Sequence, residues 1–114
     1  DGAGGFYIPM HRLIERAKTA QRDLQALHQS KDEILKRADA GEISQTRERV
    51  MNLQKTFGET AESMSALDDY VRKGLARDEI GPRLLPELDA LHDEAALVGQ
   101  AIRLARDLQT EFRQ

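Results

Sequence analysis

One row of nonpolar residues returns at every seventh position through the middle of the chain: Ile43, Val50, Phe57, Met64 and Val71. Seven residues come close to two full turns of an α-helix, so the row stays on one side only if the segment is helical. Leu53, Ala61, Leu67 and Leu75 stand beside the row and widen it into a stripe. A helix with such a stripe must hide it from water against another element, and the flanking segments supply two.

The segment before the row carries Met10, Leu13, Ala17, Ala20, Leu24, Leu27, Ile34 and Ala38 at alternating spacings of mostly three and four, with Lys31 as the polar intruder and Ile14 and Leu35 widening the stripe. Its helix is expected to begin at Pro9, because a proline at the first helical position gives up an N–H that has no partner there. It is expected to end in Ala38–Glu42, with Gly41 taking the left-handed conformation common just past a helix. The second helix is expected to start near Ser44, a suitable N-cap. The third carries Leu84, Leu88, Leu91, Ala95, Val98, Ile102, Ala105 and Phe112, with Gln109 as its polar exception. A helix that began at Pro82 would hold Pro86 in its interior and lose a hydrogen bond there, so the regular helix is placed from about Leu85 or Pro86.

The pattern predicts an all-α fold: an antiparallel, up-down-up three-helix bundle with coiled-coil-like heptad packing, its helices at about 9–39, 44–75 and 85–113, in one domain spanning 9–114. Residues 1–8 form an apolar lead. Pairing the helices about their connections sets Leu24 level with Gly58 and Val98, and Phe57 opposite Gly99. Glycine inside a helix costs up to about 1 kcal/mol relative to alanine. The expected reason for both is steric, room for Phe57 or for a close helix approach, and the alternative is a flexible waist or a small cleft.

The net charge of −3 argues against a nucleic-acid partner, which selects a basic face. No apolar run reaches the roughly 20 residues that span a bilayer, so no direct membrane insertion is expected. The absence of cysteine excludes disulfides, thiolate–zinc sites and thiol nucleophiles. It does not choose between a cytoplasmic and a periplasmic location. The opening Asp1-Gly2-Ala3-Gly4-Gly5 fits a processed form or a piece of a longer protein.

Catalytic chemistry finds few footholds. A two-metal carboxylate centre in a helical fold needs Glu-x-x-His repeats, which are missing. His11 with Glu15, His28 with Asp32, and His92 with Asp89 have the spacing of ordinary ion pairs on a helix surface. The serines Ser30, Ser44, Ser63 and Ser65 fall in helical or capping contexts without a strand-to-helix elbow, and no glycine-rich phosphate loop is present. No enzyme activity, metal or other cofactor is expected.

The functional expectation is therefore a non-enzymatic protein–protein interaction module: an adaptor, accessory or assembly subunit. Its partner is another protein or a second copy of itself. The candidate partner-binding residues are Phe6, Tyr7 and Ile8, which either cap the core or dock into a partner, together with Ile14, Leu35 and Met51, which stand beyond the core stripes. The alternatives are an extracytoplasmic ligand-sensing domain of a membrane receptor and an export or assembly chaperone.

Overall fold

A computed structural model describes residues 2–76 and 85–113; for residues 2–8, 75 and 76 it describes the backbone alone. The described residues are helical almost throughout and include no strand. There are four helices: α1 (Gly2–Gln29), α2 (Lys31–Arg37), α3 (Ala40–Ala76) and α4 (Leu85–Glu111). Of these, α1, α3 and α4 pack against one another, with the broadest contact between α3 and α4.

The first expected helix is thus divided, and its bounds differ at both ends. It starts at Gly2, so Pro9 lies inside it rather than at its first position. A proline removes one N–H but keeps a helical φ, so the helix runs through it at the loss of a single backbone bond. The division falls at Ser30, with φ −93° and ψ 0°. Two hydrogen bonds meet at this residue: Ser30 N–H donates to the Ala26 carbonyl (3.1 Å) at the end of α1, and the Ser30 carbonyl accepts from Ile34 N–H (2.9 Å) at the start of α2. Asp32 and Glu33 in the first turn of α2 and Lys36 and Arg37 in its last give this short helix its own favourable charge order.

The turn into α3 also departs from expectation. Extended backbone at Ala38 (φ −77°, ψ 145°) ends α2, and Gly41 is the second residue of α3 rather than a left-handed terminator. Asp39, not Ser44, is the N-cap: its Oδ1 accepts from Glu42 N–H at 2.8 Å, and its carbonyl accepts from Ile43 N–H at 3.0 Å. A carboxylate outbids a glycine here because it satisfies an N–H that would otherwise have no partner. The final helix starts at Leu85, which sets Pro86 in its first turn, where the missing N–H costs nothing.

The seventh-residue row forms the centre of the core. Val50, Phe57 and Val71 are fully buried and Met64 nearly so, with Ile43 partly buried at the start. From α1 come Met10, Ala17, Ala20, Leu24 and Leu27. The buried row of α4 keeps the expected Leu88, Leu91, Val98 and Ala105, continued by Phe112, and takes Glu94, Ala101 and Leu108 in place of Ala95, Ile102 and Gln109. Ala95 and Ile102, expected in the core, are partly buried flankers. The cause is that α4 touches two neighbours. Glu94 reaches α1 through Gln21, while Gln109, on the other flank, bonds Gln54 of α3.

The glycines do not have the steric role expected of them. A Cβ built on Gly58 or Gly99 would meet nothing within 4 Å, so neither residue makes room for Phe57 or for a neighbouring backbone. Gly58→Ala and Gly99→Ala should each raise stability by up to about 1 kcal/mol. Urea denaturation monitored by circular dichroism checks this, and a loss of stability would show the space to be occupied. Asp39→Ala should cost about 1 kcal/mol in the same assay, while Ser44→Ala should change little.

Candidate functional site

The chain holds no cysteine and its described residues show no group of three His, Asp or Glu able to hold a metal ion, so shape and charge are what its described surface offers a ligand. Three of the six residues singled out from sequence, Phe6, Tyr7 and Ile8, lie on the first turns of α1, and their side chains fall outside the described residues. Ile14 and Leu35 are partly buried and pack against the core, so each gives only part of its surface to the outside. Met51 stands on α3 with about half of its surface exposed (51%). The three whose side chains are described, Ile14, Leu35 and Met51, lie on three different helices.

The structure adds a feature that sequence reading missed. Leu97 on α4, outside the expected core row, is 43% exposed. It lines a groove of about 310 Å³ between α1 and α4, together with Leu24, Ala101 and Leu104 and the amides of Gln21, Gln25 and Gln100. A second groove of about 260 Å³ lies between the same two helices toward their N-terminal ends, where Met10 and Ile14 face Pro86 and Ala90. Ala90, Leu97 and Leu104 recur at every seventh residue along α4, a signal visible in the sequence but hidden beside the stronger core row. Glu87 borders the second groove and buries one carboxylate oxygen that finds no hydrogen-bond partner among the described residues.

Polar contacts tie α4 to its neighbours around these grooves. Gln21 Nε2 donates to Glu94 Oε1 at 2.7 Å, which satisfies a carboxylate that is only 6% exposed. Lys31 Nζ meets Glu111 Oε2 at 2.7 Å; that hydrogen bond holds the Lys31 ammonium above its ordinary pKa. Arg47 donates to the Phe112 carbonyl at 3.3 Å. Lys31 and Gln109, the polar residues that interrupt the nonpolar rows, thus reach partners on neighbouring helices, and on α3 Thr46 and the buried Thr60 each donate to a carbonyl one turn earlier.

Gln21→Ala should cost about 1–3 kcal/mol, since it strands a buried carboxylate. Gln21→Leu combined with Glu94→Leu should recover most of that loss, because removing both polar partners leaves nothing unsatisfied. Equilibrium unfolding of the single and double variants gives the comparison, and equal losses in both would mean the pair is not coupled.

No protein-family model, no curated protein and no solved structure matches this chain.

Proposed function

We propose that this chain is a non-enzymatic protein–protein interaction module, an adaptor, accessory or assembly subunit working through its helix faces. In this reading α1 and α2 act as one rod. The three rods α1–α2, α3 and α4 then form an up-down-up, antiparallel three-helix bundle with coiled-coil-like packing. Ser30 alone separates the two helices and is bonded back to Ala26 and forward to Ile34, which supports the single rod. Arg47 with Phe112 and Gln54 with Gln109 pair the first half of α3 with the end of α4, as opposite directions require.

The observation that carries the functional reading is the placement of large nonpolar side chains outside the core. Met51 and Leu97 stand half exposed on α3 and α4, and Leu97 shares its groove with the partly buried Leu104. Single exposed leucines are ordinary, but here Leu97 and Leu104 share one groove with the amides of Gln21, Gln25 and Gln100, and a concave site that mixes nonpolar side chains with a few polar groups is the usual form of a partner site. The reading needs no cofactor. With a net charge of −3 it takes a protein rather than a nucleic acid as partner, and no described helix is long and apolar enough to cross a membrane.

Native co-purification with mass determination of the complex tests this. A defined partner should be recovered, and binding should fall at least tenfold in Met51→Glu or in the triple variant Phe6→Ala, Tyr7→Ala, Ile8→Ala, with helicity unchanged. Undiminished binding in both variants would overturn the proposed surfaces.

A further inference from the structure

The groove between α1 and α4 is bordered by rows of opposite charge. On the α1 side, Lys18 and Arg22 stand exposed beside Gln21 and Gln25, with Glu15 the one acid in the row. On the α4 side, Asp89 and Asp93 stand exposed beside Ala90 and Leu97; further along come Arg103, the one base in the row, and Asp107. The bond between Gln21 and Glu94 fixes the relative height of the two helices.

We infer that this groove receives a second copy of the chain, related by a two-fold axis parallel to the long axis of the molecule. The inference rests on the interaction-module reading and names a partner for it. Such an axis brings α1 of one copy across from α4 of the other, at equal height and in the same direction. Counting about 1.5 Å per residue from the Gln21–Glu94 level, Lys18 of one copy comes between the levels of Asp89 and Asp93 of the other. Arg22 comes within one turn of Asp93.

The other two-fold that lies in this face, perpendicular to the long axis, would set α1 against α1 and oppose Lys18 and Arg22 to their own copies. Opposite charges across an interface fix register, and like charges facing each other disfavour it. The rows therefore select the parallel axis. Leu97 of each copy then lies at one height beside the axis, over the groove that Leu24, Ala101 and Leu104 line in the other. Both half-exposed leucines leave the water together.

The face extends about 27 Å along α4 from Pro86 to Leu104 at the helical rise per residue, and the molecule is 17 Å across. Two such faces bury roughly 1,000 Å², at the lower bound for a specific interface. The dimer is accordingly weak and concentration-dependent.

Sedimentation of the wild-type chain from a few micromolar to about 1 mM should show reversible dimerisation, and Leu97→Glu should weaken it at least tenfold. Lys18→Glu with Arg22→Glu should also weaken it, and adding Asp89→Lys with Asp93→Lys should restore it. Because the chain has no cysteine of its own, a Lys18→Cys protein mixed with an Asp93→Cys protein should form a mixed disulfide in preference to either self-pair. Preferred self-pairing of Lys18→Cys would overturn the parallel axis. A wild-type chain that stays monomeric throughout would overturn the dimer alone. The broader reading fails separately, if binding to a different protein survives both the Met51 and the N-terminal variants.

Discussion

The whole architecture depends on keeping the seventh-residue row of α3 out of water. Val50, Phe57, Met64 and Val71 are sealed to within 1% of their surface, which requires cover along the length of α3. Fully burying a residue of this kind stabilises by about 1.5–3 kcal/mol, against backbone ordering of about 1–2 kcal/mol per residue. Aromatic residues are 4% of the chain and there is no tryptophan, so no single side chain dominates and the sum is built from many modest contributions. Without cysteine, no covalent staple assists. The same need explains why α1 and α4 are stripe-bearing helices and why α3 and α4 share the broadest contact.

Serving two neighbours changes what α4 must present. A helix covered on one side needs one narrow row; α4 shows a wider one, with Glu94, Ala101 and Leu108 on the α1 flank and Ala95, Ile102 and Gln109 on the α3 flank. Each flank includes a polar residue, and each of these meets an amide from the helix it faces: Gln21 for Glu94, Gln54 for Gln109. Paired in this way, the polar groups specify which helix lies on which side, a distinction that interchangeable aliphatic contacts do not make.

Helical class and most of the buried residues were legible because periodicity reflects burial, the strongest force in the fold. What was not legible has local causes. The break at Ser30 needs only a small change in backbone angles and takes up a single residue, so the nonpolar spacing gives little sign of it. The cap at Asp39 was open to reading, since Glu42 follows three residues later in the manner of a capping box, but Gly41 and Ser44 offered competing signals. Leu97 was missed because the expected core row passes through Ala95, Val98 and Ile102 and draws no notice to the weaker row of Ala90, Leu97 and Leu104 beside it, which the structure leaves at the α1–α4 groove. Gly58 and Gly99 seemed to match in level, yet matching levels did not mean contact.

The molecule measures 58 Å by 17 Å by 16 Å, more than three times as long as it is wide. Its two tips therefore lie many screening lengths apart, given a Debye length of about 8 Å in physiological salt. A charge brought to the tip near Met10 and Pro86 goes unfelt near Phe112, and bodies held at the two tips are kept at a fixed distance. Shape alone lets each end answer to its own surroundings.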